Sequence, residues 1–355
     1  MDARKISTIG RPSRRELLRG CVAFGAAALF PSGTAPAQAP SGESRRIIDV
    51  HQHFVSPDYL AFLASKRMGG GPQWKDYSPA KHIEDMDKAG IATSMVSPTA
   101  PAVWFGDIEE SRKVAREINE YAAAKMAGAY KGRFGLFAAL PFPDVEGSLK
   151  EIEYAFDTLK ADGVGVLTSY DNNKWLGDKV FAPIFDELNR RKAIVYTHPL
   201  ALSCCGNLVQ GVTPQTLEYP TDTSRAIMSL IVSGTAARCP DIKFIFSHAG
   251  GTIVSVAGRF LGPAGNGDNI TKPAEANSRL DLLRKFYYDT AQSTNPVLLQ
   301  SLKLLVPGSQ IVYGSDFPFA NAAAQVAGLQ SCGLSADELR AVYRTNAAKM
   351  LPKYA

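Results

Sequence analysis

The sequence predicts an α/β fold, a parallel (β/α)8 barrel of the TIM type with long loops at its C-terminal face. Three observations lead there: eight short β-forming apolar runs in series, helical segments between them, and metal-binding residue types at the ends of four of the runs. The runs lie at 47–50, 92–97, 134–140, 163–168, 193–197, 243–247, 286–289 and 310–314. Between them, stretches such as ESRKVAREINEYAAAKMAG and GSLKEIEYAFDTLKADG repeat apolar residues at three and four positions and close on glycine, as amphipathic helices do. No internal repeat or Pro/Ser-rich linker divides residues 40–355, so a single domain is expected. The longest insertions, 54–80, 200–220 and 252–280, are long enough to wall a binding site or close over it.

Residues 1–39 stand apart from this pattern. Ser13, Arg14 and Arg15 precede Leu17 and Leu18, then the apolar stretch CVAFGAAALF and the small-residue site AQA at 37–39. The segment resembles a cleaved twin-arginine export signal, which implies translocation of a folded protein to the periplasm or beyond. Its apolar stretch is shorter than the roughly 20 residues of a membrane span. Cys21 precedes that stretch instead of ending it, which argues against a lipoprotein site, so no membrane insertion of the mature chain is expected. Of the 39 basic and 34 acidic residues, six and two lie before residue 40, leaving residues 40–355 at +1. That balance excludes a nucleic-acid partner, whose binders carry a marked excess of Lys and Arg. Chemistry on a small molecule remains.

Four cysteines, Cys204, Cys205, Cys239 and Cys332, lie beyond the leader. They are too few for a disulfide framework and are expected to be reduced, since adjacent cysteine side chains diverge.

Of the five histidines, four end β-forming runs: His51 and His53 in IIDVHQH, His198 in IVYTHP and His248 in FIFSHAG. Asp316 ends QIVYGSDFP in the same way. Residues two apart in a strand share a face, so His51 and His53 converge, Gln52 turns away, and Asp49 falls on the histidine face one step deeper. Imidazole and carboxylate together suit one divalent ion, zinc first and manganese second. Asp49 is expected behind the ligands as an acceptor or a buried structural carboxylate, and Asp289, ending FYYDT, either orients a histidine or is structural. Asp316 reads as a ligand that also transfers a proton. His82, in the charged helical stretch AKHIEDMDKAG, reads as a solvated or capping residue. Trp104, Trp175, Phe54 and Phe317 follow strand ends and would line a mouth for a flat ring, with ordinary packing as the alternative.

HQH at the first run, FSHAGG and GSDFP together resemble the amidohydrolase superfamily over about residues 45–350. The closer resemblance is to its decarboxylases, of the aminocarboxymuconate-semialdehyde and salicylate types. That resemblance implies His51, His53, His198 and Asp316 as metal ligands and His248 as the histidine that activates water or relays a proton. It implies a mononuclear site, because GVGVLTSY lacks the bridging lysine of binuclear relatives. A histidine at both positions of HQH is closer to the zinc-dependent members.

Arg259 matches an arginine that crosses a dimer interface to hold the substrate carboxylate, so a homodimer is implied; the alternative is a solvated helix arginine. TDTSRAIMSLIVSGT, residues 221–235, resembles the helix opening after the fifth strand in the salicylate-type enzymes, where Asp222 and Arg225 are expected to pair and brace the site. The expected function is non-oxidative decarboxylation of a small aromatic or muconate-like carboxylic acid. A lactone or ester hydrolase with the same ligands is the alternative, and an exported metal- or solute-binding protein is a third reading.

Overall fold

The computed structural model describes residues 46–355, apart from 69–70, 172, 207, 263–269 and 271–272. The export-signal stretch and parts of the 54–80 and 252–280 insertions lie outside the described residues.

Every predicted run forms a strand. Val, Ile, Phe and Tyr dominate β1 (Ile47–His53), β2 (Ile91–Ser97), β3 (Phe134–Ala139), β4 (Gly163–Leu167), β5 (Ile194–His198), β6 (Lys243–Phe246), β7 (Tyr287–Asp289) and β8 (Ile311–Val312). They pair in sequence order and in parallel, giving one eight-stranded sheet. The seam between the last strand and the first is closed by Val50 N–H to Tyr313 O at 3.0 Å, Asp316 N–H to His51 O at 2.9 Å and His53 N–H to Phe317 O at 2.8 Å. The chain therefore forms a (β/α)8 barrel.

The helices that cover the strands are α1 (Pro79–Ala89), α2 (Ile108–Tyr121), α3 (Val145–Asp157), α4 (Ala182–Arg190), α5 (Pro214–Val232), α6 (Ile253–Leu261), α7 (Pro296–Leu305) and α8 (Ala322–Gln330). Ser78, Asp107 and Asn321 cap α1, α2 and α8 by accepting N–H bonds from Lys81, Glu110 and Ala324. Buried residues divide into two groups. A large one fills the space between sheet and helices; a smaller one, with Ile48, Val50, Met95, Phe137, Tyr196, Ile245 and Val312, fills the barrel and meets Met350, Leu351 and Tyr354 of the C-terminal segment. No helix among the described residues is long and apolar enough to cross a membrane.

The insertions carry more helix than their composition suggested. Pro57–Ser65 is helical inside 54–80, with Ser56 accepting from Tyr59 N–H as its cap. Helix α5 starts at Pro214, seven residues before the expected opening at 221, and continues through Pro220. Proline at the first helical position explains both starts, because its missing N–H would be unpaired there anyway. The expectation of reduced cysteines is corrected in part: Cys204 and Cys205 are joined by a disulfide, with Cα atoms 3.8 Å apart. The divergence argument fails because the bond lies in a turn, closed by Cys205 N–H to Leu202 O at 3.0 Å, and not in extended backbone. Cys239 and Cys332 are free and buried.

Candidate metal centre

The site begins with an irregularity in β1. Its pairing with β2 shifts between Asp49 and Gln52, so three steps on β1 oppose two on β2. Such a bulge re-aims the side chains after it. Ile48 and Val50 face the barrel interior with Phe137 and Tyr196, and after the bulge His51 and His53 face it as well. Asp49 is therefore not on the histidine face, as strict alternation required. Its carboxylate lies with Gln52, accepting from the His51 N–H at 2.9 Å, Gln52 Nε2 at 2.8 Å and the Ser315 N–H at 3.2 Å. It touches no ligand ring.

Each of three imidazoles is anchored through Nδ1. His51 donates to Asp289 Oδ2 at 2.8 Å, His53 to Ser97 O at 3.2 Å and His198 to Pro199 O at 2.8 Å. A carbonyl or carboxylate accepts only, so each Nδ1 carries a proton and each Nε2 points away from its anchor. The His51 and His53 Nε2 atoms lie 3.0 Å apart, and Asp316 Oδ1 lies 3.2 and 3.1 Å from them. One donor atom from each of His51, His53, His198 and Asp316 falls within 4.8 Å of every other, and all four residues are buried.

With all three rings neutral, the Nε2 lone pairs and the Asp316 oxygen would face and repel one another. Asp316 Oδ1 is moreover buried without a hydrogen-bond partner. Both observations fit a cation held among four donors, three nitrogens and one oxygen, a set suited to a divalent metal ion. The field agrees. Burial pushes His53 downward and His198 well below the usual imidazole range. His51 goes up to about 10, because the Asp289 and Asp316 carboxylates outweigh its burial. Asp316 is held well below the usual carboxylate range, the neighbouring imidazoles overcoming its burial.

Asp289 ties the centre together from below. While Oδ2 takes the His51 ring, Oδ1 accepts from the N–H groups of His248 and Ala291, each at 2.9 Å. His248 in turn donates Nδ1–H to Ala291 O at 2.9 Å, which leaves its Nε2 as the ring nitrogen available to the cavity, with its ring centroid 5.0 Å from that of His51. Close packing also explains the glycine of GSDFP: a Cβ on Gly314 would lie 2.8 Å from His51 Cβ and 3.0 Å from Asp289 Cγ. His248, Gln292 and Asp316 all hold left-handed φ, at 55°, 48° and 64°. Such backbone costs about 1–3 kcal/mol per non-glycine residue and is concentrated at functional sites.

Above the donors opens a cavity of about 610 Å³ lined by Thr99, Gln215, Tyr219, His248, Gln292 and Phe319, among others. No Lys or Arg is among its described lining residues. The Phe319 ring is 5.7 Å from His53 and the Tyr219 ring 6.1 Å from His198.

Several expected residues lie elsewhere. Phe317 turns its ring to His82, with centroids 4.4 Å apart, so Phe319 and not Phe317 borders the donors. Phe54 is buried and stacks on Tyr121. Trp104 donates to Asp171 at 2.8 Å and Trp175 to Asp222 at 2.9 Å, and neither lines the cavity. Asp222 is fully buried, takes further bonds from Thr168 and Ser169, and lies 3.5 Å from Arg225, a brace of the kind expected. Arg259 is exposed on α6, away from its own chain's cavity. His82 is not solvated: it is fully buried, because Phe134 and Phe317 from distant strand ends pack on its ring. Gln292 and Tyr219 were not anticipated; nothing but proximity to a strand or helix end marks them in the sequence.

An eight-stranded parallel barrel with imidazoles and a carboxylate at the C-terminal strand ends is an enzyme architecture. The profile described as Amidohydrolase matches residues 48–353, and the chain belongs to that family. It is 36% identical over 335 residues to decarboxylase yanB of Aspergillus niger, covering 86% of this chain and 88% of that protein. It is 38% identical over 287 residues to 6-methylsalicylic acid decarboxylase of Penicillium expansum, covering 77% and 85%. A solved dihydroxybenzoic acid decarboxylase from a Polaromonas species, with bound manganese and the inhibitor 2-nitroresorcinol, superposes with a TM-score of 0.74 at 22% identity, covering 87% and 97%. The chain is a carboxy-lyase-type member of the amidohydrolase family.

Proposed function

We propose that this protein is a metal-dependent, non-oxidative decarboxylase of a small aromatic carboxylic acid. The observation that carries the reading is the convergence of three Nε2 atoms and Asp316 Oδ1 beside the free Nε2 of His248, on the floor of a cavity with aromatic walls. A divalent ion, zinc first and manganese second, would be held by His51, His53, His198 and Asp316 and would neutralise substrate oxygens. With no Lys or Arg among the described lining residues of its own chain, the charge of the acid falls to that ion, to neutral donors and to a cation brought by a neighbouring subunit. Tyr219 and Phe319 flank the donors and suit a flat ring better than an open-chain muconate.

Breaking the carbon–carboxylate bond leaves its electron pair on the ring carbon, which must gain a proton as CO2 departs. His248 is placed to deliver it from Nε2–H of its protonated ring, becoming the neutral imidazole, because its Nδ1–H stays fixed on Ala291 O and its Nε2 faces the cavity. Asp316 serves as a ligand; its Oδ2 is engaged by Gln292, so a further role in proton transfer requires that contact to open. Arg259, exposed on α6, is assigned to the neighbouring subunit's cavity in a homodimer, and residues 1–39 to twin-arginine export to the periplasm or beyond.

The experiment is CO2 release from hydroxybenzoates and muconate semialdehydes by protein loaded with zinc or manganese. Gas from the hydroxybenzoates supports the reading. Ester or lactone cleavage with no gas from any acid replaces it with a hydrolase.

A further inference from the structure

We propose that His82, on α1 and outside the barrel, is a positioning residue for the metal centre, acting through Gln52 and Asp49. The inference rests on the metal-site reading above. Its basis is a hydrogen-bond chain whose donor and acceptor assignments follow from one another.

As a carboxylate Asp49 accepts only, so the Gln52 atom 2.8 Å from its Oδ2 is the amide Nε2. The same Nε2 is 3.1 Å from Ser315 Oγ. Gln52 Oε1 is therefore the atom that faces His82, and it accepts the Nε2–H of His82 at 2.5 Å. His82 is neutral, its burial pushing it down to about 3, so its Nδ1 is an acceptor and takes the hydroxyl of Tyr77 at 3.0 Å. At the other end, Asp49 Oδ1 receives the N–H groups of His51 and Ser315.

Those two amides belong to opposite sides of the barrel seam. One precedes the ring of a first-strand ligand, and the other adjoins Asp316. Asp49 thus fixes the bulge that turns His51 inward and sets it in register with Asp316, while Gln52 fixes Asp49 and His82 fixes Gln52. Phe134 and Phe317 hold the His82 ring at centroid distances of 5.0 and 4.4 Å. Remove the His82 N–H and Gln52 Oε1 is left buried without its donor, which frees the amide to rotate away from Asp49.

The test is zinc affinity by chelator competition, on otherwise unaltered protein whose folding is checked by far-UV circular dichroism. His82→Leu is expected to weaken zinc binding by about 10–100-fold, the usual effect of losing a partner behind the ligands. His82→Gln, which places an amide N–H near the position of the imidazole Nε2–H, is expected to restore it. Gln52→Glu keeps the size and the acceptor but loses the donor to Asp49, and is expected to weaken binding as His82→Leu does; it carries the test if His82→Leu does not fold. Parent-like zinc affinity in folded His82→Leu or Gln52→Glu overturns the proposal. So does a folded His82→Gln that binds no better than His82→Leu, since a purely space-filling role predicts no rescue by an amide. Failure of the parent protein to bind zinc or manganese overturns the metal reading itself, and this inference with it.

Discussion

The side-chain amide of Gln292 donates to Asp316 Oδ2, so the carboxylate presents only Oδ1 to the imidazoles of His51 and His53. Gln292 is itself steadied by its backbone N–H, which donates to Gln325 Oε1 at 3.1 Å. Gln292→Leu removes the only donor that holds the outer oxygen among the described contacts. Metal affinity should fall by about tenfold, the low end for loss of such a partner. Equal affinities for parent and variant in a chelator titration would show that the Asp316 rotamer needs no such support.

Asp289 has two faces, one on the His51 ring and one on the backbone of His248 and Ala291. In Asp289→Asn the amide cannot serve both, since whichever way it turns an NH2 meets an N–H. A loss of about 10–100-fold in metal affinity is expected, with activity at saturating metal also lowered because His248 shifts. Metal titration followed by assay at saturation checks both. An Asn variant that matches the parent in both would contradict the bridging role.

His248→Ala should separate binding from chemistry. Zinc content per chain stays at the parent value, while turnover of the best acid drops by about 10²–10⁴, the range for a positioned proton donor. Retained turnover would remove His248 from the mechanism, and lost metal would make it a ligand.

Burial keeps His82 neutral in the fold, down to about pH 3. The unfolded chain takes up this proton near pH 6.5, where the folded protein does not. Stability from this group is therefore intact above pH 6.5 and declines as pH falls from 6.5 toward 3, by up to about 1.4 kcal/mol per unit. Urea midpoints of metal-free parent and His82→Gln should diverge as the pH is lowered from about 7 to about 4.5, the parent losing more. Parallel curves would mean that His82 takes a proton in the folded state.

The barrel and the donor set were legible because both signals are local. A short β-branched run and the residue that ends it lie side by side in the chain, and five such residues fell at strand ends. What was not legible depends on partners distant in sequence. Period-two alternation cannot show the bulge that moves Asp49 off the histidine face, since the bulge is defined by pairing with β2. His82 reads as solvated from its neighbours Lys81, Glu84 and Asp85, yet Phe134 and Phe317 cover it. Trp104 and Trp175 follow strand ends as aromatic wall residues would, but Asp171 and Asp222 hold their indole nitrogens.

The seam has a consequence for how the chain acquires its chemistry. His51 and His53 are made near the start of synthesis and Asp316 near its end, and only closure of the ring brings them within reach of one ion. A nascent or C-terminally clipped polypeptide can hold most of the strands and still lack one of the four donors, so an intact donor set reports that the barrel was completed.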